Sequence, residues 1–208
     1  MEVAILTATV IVWEAVHSGL ASPAAKDLAA RVLGQRIVRA YRLAYNAFSF
    51  LSFLPVLAVM RALPDHPLYA IPVPWLYFFL AAQASAAICL LAAMLQTDTL
   101  HFIGVRQLLE PPRGSELNTH GFYSLVRHPL YLFGLLFLWF TPIMSVNWLT
   151  LFVLLSIYLF VGARFEERRL LSEFGTQYEE YRRRTPMIIP GLRKRRLVAT
   201  SPGADADR

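Results

Sequence analysis

The sequence predicts an all-α integral membrane protein, a bundle of about five transmembrane helices that includes a helical hairpin. The chain has 208 residues, of which 56% are hydrophobic and only 16% are charged. A soluble domain carries roughly 25% charged residues, so the charges are too few to cover a water-exposed surface. The mean hydropathy of +0.46 agrees with this prediction. Several apolar stretches also reach the length of about 20 residues that crosses a bilayer core of roughly 30 Å.

Four apolar stretches account for the predicted spans. Residues 3–20, 43–63 and 74–95 each match one crossing, and the third contains no charged residue. Residues 129–162 are too long for one crossing and contain Thr141-Pro142. Because proline disfavours helical geometry at the residue before it, this stretch is predicted to form the two limbs of a hairpin. The first limb, residues 129–140, would extend only about 18 Å as a helix, which is shorter than the bilayer core.

The basic residues predict the orientation of the chain. They fill the first connection, return in the third connection and dominate the C-terminal region, whereas Arg61 alone falls on the opposite side. By the positive-inside rule we expect an external N-terminus and a cytoplasmic C-terminus, in a bacterial inner membrane. A cleavable signal peptide is disfavoured, because the chain opens with Glu2 rather than with basic residues. We expect residues 1–192 to form one domain and residues 193–208 a basic, disordered tail that contacts anionic membrane lipid.

Polar residues that could bind a ligand cluster just before the hairpin. The segment contains Tyr123, Arg127, His128, Pro129 and Tyr131. Proline is suited to the first position of a helix, which makes His128 the N-cap. A helix N-terminus beside an arginine and a histidine favours a carboxylate or a phosphate. The simpler interpretation, an arginine that ends a membrane span, explains Arg127 but not the clustered histidine and tyrosines.

A second polar group follows the hairpin. Glu166 and Glu167 are predicted at or just past the cytoplasmic end of the second limb, and the helix is predicted to stop near Gly175. Tyr178 and Tyr181 would share one face if the next segment is helical. Taken alone, this segment is more typical of a solvated helix end with ion pairs.

Because both polar groups flank the same hairpin, we expect them to meet at its cytoplasmic mouth. Cations, carboxylates and aromatic rings would then surround one recess, which suits a zwitterionic ligand with a ribose and an aromatic ring or a sulfonium. Nucleic acid is not an expected partner, since topology accounts for the basic residues. The sequence has no Gly-x-Gly-x-x-Gly loop, which argues against a Rossmann-type enzyme. Its single cysteine, Cys89, excludes an intrachain disulfide and a multi-cysteine metal site, and no metal is expected.

Two motifs in this region resemble the isoprenylcysteine carboxyl methyltransferase and phospholipid methyltransferase superfamily. They are Arg127-His128-Pro129-Leu130-Tyr131 and the later block that contains Glu166, Glu167, Phe174, Gly175, Tyr178 and Tyr181. Within the superfamily, residues 100–107 and 139–144 are most similar to the methanethiol S-methyltransferase and NnrU-like branch. The resemblance covers roughly residues 97–190.

The resemblance implies an integral membrane enzyme that uses S-adenosylmethionine to methylate a small or lipophilic acceptor, most simply a thiol. It implies a cytoplasmic, C-terminal cofactor-binding segment and catalytic roles for Arg127, Glu166 and Glu167. The implied cofactor-binding residues are Tyr123, Arg127, His128, Pro129, Tyr131, Glu166, Tyr178 and Tyr181. One position departs from the family pattern, because Phe133 stands where the family usually has glycine.

Two other functions stay open. The first is an NnrU-like accessory protein that keeps the fold without catalysis, which the retained Arg-His-Pro and Glu-Glu motifs disfavour. The second is a membrane reductase with a nicotinamide cofactor. Such reductases resemble this superfamily but have several additional helices, for which this chain has no room.

Two ionisable residues lie inside the first predicted span. Glu14 and His17 are functional candidates by default, because charged groups inside a bilayer are costly. Arg42 or Asn46 would be a suitable partner. Alternatively, both side chains extend to the cytoplasmic end of their helix and reach water.

Overall fold

A computed structural model describes residues 1–109 and 116–191 of the chain. Within this part, the elements in chain order are α1 (Glu2–Ala21), α2 (Pro23–Leu33), α3 (Gln35–Ala62), β1 (Pro67–Ala70), α4 (Trp75–Leu95), α5 (Thr99–Ile103), α6 (Arg106–Leu109), α7 (Phe122–Leu125), α8 (Pro129–Trp139), β2 (Ile143–Ser145) and α9 (Val146–Arg184). The predicted basic tail, residues 193–208, lies outside the described residues.

The prediction of an all-α membrane bundle is confirmed. Among the described residues, α1, α3, α4 and α9 are long and apolar enough to cross a membrane. Large apolar side chains point away from the protein on these helices, such as Phe50 (73% exposed) and Ile88 (69% exposed). Such an exposed apolar surface is stable in lipid and costly in water. The chain is therefore an integral membrane protein.

The number of crossings stays a prediction. Helix α8 has 11 residues, too few for a full crossing, as the length of the first hairpin limb indicated. The predicted break near Pro142 is confirmed, since α8 ends at Trp139 and α9 begins at Val146. The predicted orientation is also a hypothesis, because the fold itself does not distinguish the two sides of the membrane.

The core of the bundle lies between α1, α3 and α9. Leu6 and Val10 of α1 pack with Val56 and Met60 of α3 and with Leu151 of α9, and all are buried. A side-chain hydrogen bond between α1 and α3 adds to this packing. Helix α4 instead packs against α8. The two limbs of the hairpin therefore pack against different partners, α8 against α4 and α9 against α1.

The sequence did not predict a small sheet. Strand β1 pairs antiparallel with β2, with Tyr69 opposite Met144 and Ala70 opposite Ile143. The pairing joins the segment between α3 and α4 to the turn of the hairpin between α8 and α9. Strands of three and four residues carry too few side chains for an alternating pattern to identify them.

A buried asparagine joins the start of α9 to the end of α3. The Asn147 side chain is 1% exposed, and its Nδ2 donates to the carbonyls of Met60 (3.2 Å) and Pro64 (3.3 Å). Its backbone N–H donates to Asp65 Oδ1 at 3.0 Å. The amide thereby satisfies carbonyls that the end of α3 leaves without helical partners.

We expect Asn147→Ala to lower the free energy of unfolding by about 1–3 kcal/mol, because it leaves buried carbonyls without donors. Thermal unfolding in detergent measures the change. Ser85→Ala is the matched control, since Ser85 on α4 is exposed and donates to the Ala81 carbonyl of its own helix. Equal melting temperatures for the two variants would contradict a structural role for Asn147.

Candidate active site

The site is built on a short extended segment that precedes α8. Val126 has extended backbone angles, and Pro129 begins α8 with His128 as the N-cap, as predicted. The N–H groups of Arg127 and His128 donate to the carbonyls of Pro186 (2.9 Å) and Met187 (3.0 Å). The residues that follow α9 therefore pair with the segment that precedes α8.

Helix α9 returns to this segment because of a break at Gly175. This glycine has φ +52°, a conformation that side-chain-bearing residues rarely adopt, and the helix resumes after it. The break occurs where the sequence predicted the helix to stop. The part of α9 beyond it carries Tyr178 and Tyr181 back over the hairpin mouth, and ends before Thr185.

An arginine–carboxylate pair is the centre of the site. Arg127 Nε and Nη2 donate to the two carboxylate oxygens of Glu167, both at 2.7 Å. Arg127 Nη1 donates to the carbonyls of Thr185 (2.6 Å) and Arg182 (3.2 Å). The two side chains are only 9% and 10% exposed. A buried pair of this kind is stable only when its remaining donors are satisfied, as they are here.

Glu167 binds further donors behind the wall of the site. Its Oε1 accepts hydrogen bonds from His128 Nε2 at 3.0 Å and from the Tyr178 hydroxyl at 2.7 Å. This one carboxylate therefore links the extended segment to both parts of α9. Glu167 was predicted to serve the mouth of the site, but its side chain is not among those that line the cavity.

His128 lies between the two carboxylates. Its Nδ1 is 3.5 Å from Glu166 Oε2, and its ring stacks on Tyr131 with centroids 5.3 Å apart. Burial alone would lower the pKa of His128, but the hydrogen bonds to Glu166 and Glu167 outweigh it and raise the pKa above the usual 6.5. The imidazolium form is thereby favoured. With both ring nitrogens facing carboxylates, His128 is poorly suited to accept a proton from a substrate.

The tyrosines fix the remaining walls. The Tyr131 hydroxyl donates to Glu166 Oε2 at 2.9 Å. The Tyr181 hydroxyl donates to the Tyr123 carbonyl at 2.6 Å, and its ring meets Tyr178 edge-on. Burial raises the pKa of Tyr123 to about 12, so its hydroxyl stays protonated and remains a hydrogen-bond donor at neutral pH.

These residues surround a cavity of about 620 Å³, within the size range of ligand pockets. All eight predicted cofactor-binding residues line it: Tyr123, Arg127, His128, Pro129, Tyr131, Glu166, Tyr178 and Tyr181. The structure thus brings the two sequence motifs together. The role of each residue toward a ligand stays a prediction.

Other charged residues that line the cavity were missed in the sequence. They are Arg42, Glu116, Arg169 and Glu173, with Thr97, Asn118 and Phe174 beside them. Arg42 was assigned to topology and as a partner of Glu14 or His17, and the residues after Glu167 were assigned to a solvated helix end. The spacing of Glu166, Arg169, Leu170 and Glu173 places them on one face of α9 and could have identified them.

A tight turn positions Tyr123. Gly121 has φ +59°, and a Cβ there would clash with the side chain of Gln96. Gln96 Oε1 accepts a hydrogen bond from the N–H of Phe122 at 2.9 Å, and its carbonyl accepts one from Asn118 Nδ2 at 2.7 Å. The end of α4 therefore holds the loop that carries Asn118 and Tyr123 to the cavity.

The fold and site define a class of protein: an integral membrane protein with a polar ligand cavity at the mouth of a helical hairpin. The phospholipid methyltransferase family model matches residues 79–177. A methanethiol S-methyltransferase from a Pseudomonas species is 30% identical over 188 residues, which cover 87% of this chain and 70% of that protein. The chain therefore belongs to the isoprenylcysteine carboxyl methyltransferase and phospholipid methyltransferase superfamily, as its motifs predicted.

Shorter matches have higher identity. Methanethiol S-methyltransferase 2 of Bradyrhizobium diazoefficiens is 41% identical over 104 residues, 48% of this chain and 40% of that protein. Methanethiol S-methyltransferase of Mycobacterium tuberculosis is 37% identical over 97 residues, 43% of this chain and 40% of that protein. These matches span less than half the length of each relative. No solved structure matches the chain.

We expect Arg127→Ala to lower the free energy of unfolding by about 3–5 kcal/mol, because it leaves the Glu167 charge buried without its partner. Chemical unfolding in mixed micelles measures the loss. The control is Arg183→Ala, which removes an exposed pair with Glu179 and should change stability by less than about 0.5 kcal/mol. Similar losses in both variants would show that the buried pair is not structurally important.

The raised pKa of His128 predicts a pH-dependent stability. Below pH 6.5 the folded and unfolded states both hold the proton, so the favourable interaction of the imidazolium with Glu166 and Glu167 is fully present. It is lost as the pH rises through the higher folded-state pKa. Wild-type protein should therefore lose more stability above pH 6.5 than His128→Gln does. Parallel stability curves for the two proteins would exclude this titration.

Proposed function

We propose that this protein is an S-adenosylmethionine-dependent methyltransferase whose acceptor is a small thiol. The observation that carries the proposal is the cavity that the Arg127-His128-Pro129-Leu130-Tyr131 motif and Glu166 line together. Membership of a methyltransferase family supports methyl transfer as the reaction. The thiol acceptor is supported by relatives named methanethiol S-methyltransferase.

The residues of the cavity fit S-adenosylmethionine. Arg42 and Arg169 could bind its carboxylate, and Glu166 and Glu173 could bind its ammonium group or ribose hydroxyls. The rings of Tyr131 and Phe174 offer faces for the adenine or the sulfonium. S-adenosylmethionine would supply a methyl group activated by a positively charged sulfur.

The protein's main contribution is placement. Transfer of a methyl group requires the acceptor, the methyl carbon and the leaving sulfur in line, and holding reactants in that geometry lowers the barrier by several kcal/mol. Glu166 is the residue best placed to orient the cofactor, because Tyr131 fixes one carboxylate oxygen and its side chain lines the cavity. Its charge also lies where it can stabilise a bound cation.

Arg127 and Glu167 act as positioning residues in this proposal. The Arg127 guanidinium is occupied by Glu167 and two carbonyls, and Glu167 lies behind the cavity wall. Their pairing fixes His128 and Tyr178, which do line the cavity. We therefore propose that these two residues, which were predicted to be catalytic, act by holding the cavity walls in position.

We further propose that the cavity opens to the cytoplasm of a bacterial cell. The concentration of basic residues in the connections and C-terminal region on that side supports this orientation. S-adenosylmethionine would then reach the cavity from the aqueous side.

Two measurements test the function. Calorimetry should detect binding of S-adenosylmethionine to the detergent-purified protein, and gas chromatography should detect dimethyl sulfide when methanethiol is added. Glu166→Gln should weaken cofactor binding about 10- to 100-fold, since it removes a charge-assisted contact worth about 1.5–3 kcal/mol. Glu179→Gln is the control, because Glu179 is exposed on the same helix beyond Gly175.

The outcomes separate the candidate functions. Binding without turnover on any thiol would favour a non-catalytic accessory protein. A folded protein that binds no S-adenosylmethionine in the presence or absence of methanethiol would contradict the proposed function.

A further inference from the structure

Two residues of α3 have contacts that the sequence did not indicate. Arg42 and Asn46 were suggested as partners of His17 in α1. The His17 ring instead contacts the hydroxyls of Tyr45 at 2.8 Å and Tyr158 at 2.6 Å. Arg42 lines the cavity, and the Asn46 side chain binds the segment that follows α4. The two residues are four apart and therefore share one face of α3.

Residues 98–106, the bridge segment, follow α4 and pack against the backbone of α3 at this face. Gly104 lies between α5 and α6 and has φ +102°. A Cβ at this position would lie 2.5 Å from the backbone nitrogen of Leu43 and 2.9 Å from the carbonyl carbon of Arg42, closer than Cβ atoms approach a backbone. Asn46 Nδ2 donates to the carbonyl of Ile103 at 2.8 Å. Glycine is therefore required where the bridge segment touches the turn of α3 that carries Arg42.

Internal bonds stabilise the bridge segment. Arg106 Nη1 donates to Asp98 Oδ2 at 2.6 Å, which joins its two ends. The N–H of Gly104 donates to the carbonyl of Leu100 at 3.1 Å, so the glycine also ends α5. Thr97, the residue before the segment, lines the cavity. The bridge segment therefore connects one wall of the cavity directly to α3.

Among the residues that the structure describes, Arg42 is the side chain that α3 contributes to the cavity. Two other cations that line the cavity, Arg127 and His128, are hydrogen-bonded to Glu167. Arg169 also lines it, but belongs to α9. A guanidinium binds a carboxylate through charge-assisted hydrogen bonds in a fixed fork geometry, so its position decides the strength of the contact. The position of Arg42 in turn depends on where α3 lies relative to the other walls.

We propose that Gly104 and Asn46 position Arg42 to bind the carboxylate of the cofactor's amino-acid group. This inference rests on the proposed methyltransferase function and adds two positioning residues to it. The contact of the bridge segment with α3 sets the distance between α3 and the wall that follows α4. A side chain at residue 104 would push α3 and the bridge segment apart, and Arg42 would shift with its helix. The cavity should therefore select a cofactor that has an intact carboxylate, and this selectivity should depend on the bridge segment.

Two ligands separate the carboxylate contact from the rest of the site. S-adenosylmethionine has the carboxylate, whereas decarboxylated S-adenosylmethionine keeps the adenine, ribose, sulfonium and ammonium groups without it. In calorimetry, the wild-type protein should bind S-adenosylmethionine about 10- to 100-fold more tightly, because the other ligand lacks one hydrogen-bonded charged contact. Arg42→Gln should remove most of this preference and leave binding of the decarboxylated ligand largely unchanged.

Gly104→Ala tests the positioning role. It should weaken binding of S-adenosylmethionine at least about fivefold, since a displaced Arg42 loses much of the same contact. Binding of the decarboxylated ligand should change little. Asn46→Ala should show the same selectivity with a smaller loss. Because these changes act on one contact, the double variant Gly104→Ala/Arg42→Gln should bind S-adenosylmethionine no more weakly than Arg42→Gln alone.

Gly34→Ala is the matched control. Gly34 immediately precedes α3 and has φ +83°, but a Cβ added there would meet no atom of the described residues within 4 Å. The substitution therefore strains the backbone without forcing α3 away from a neighbour. It should leave the preference for S-adenosylmethionine over the decarboxylated ligand at the wild-type value. If Gly104→Ala does not fold, Asn46→Ala decides, because it introduces no clash.

Three outcomes would overturn the inference and leave the proposed function intact. Equal affinity of the wild-type protein for the two ligands would show that the cavity does not recognise the carboxylate. Equal losses for both ligands in Gly104→Ala and Asn46→Ala would show that the bridge segment is merely structural. Additive losses in the double variant would show that the bridge segment acts independently of Arg42. A wild-type protein that binds neither ligand would contradict the proposed function, and this inference with it.

Discussion

The bidentate pair between Arg127 and Glu167 is the interaction on which the candidate site depends. It joins the extended segment before α8 to α9, and Arg127 also binds the carbonyls of Thr185 and Arg182 past the break in α9. Two neutral hydrogen bonds could not replace it, since charge-assisted pairs in a buried setting are about twice as strong. Because the pair is satisfied on every side, the cavity walls are fixed before a ligand arrives.

The bilayer explains why the site lies at the end of the hairpin. The spanning helices carry mostly apolar side chains, because charged groups are costly inside a bilayer. The charged residues therefore collect where α8 begins and where α9 leaves its apolar part. Helix α8 is too short to cross the membrane. Its N-terminus lies at the cavity, beside the residues that follow α9.

Much of this arrangement could be predicted from the sequence, because hydropathy identifies long apolar helices and two local motifs identify the residues of the mouth. The different roles of Glu166 and Glu167 could not. Successive helical residues point about 100° apart, so which one faces the cavity depends on how α9 is rotated in the bundle. Arg42 and Asn147 were missed for a related reason. Arg42 lines the cavity beside residues of α9, and Asn147 binds carbonyls at the end of α3, and these helices are far apart in the sequence.

The central claim is that the cavity between α8 and α9 binds S-adenosylmethionine. Ultraviolet cross-linking of the protein with methyl-labelled S-adenosylmethionine, followed by mass spectrometry of the labelled peptides, tests this claim directly. The label should be found on peptides that contain Tyr131 or Phe174, and excess S-adenosylhomocysteine should abolish it. Label on peptides from α1 or α4 alone, or label that S-adenosylhomocysteine does not displace, would contradict the claim.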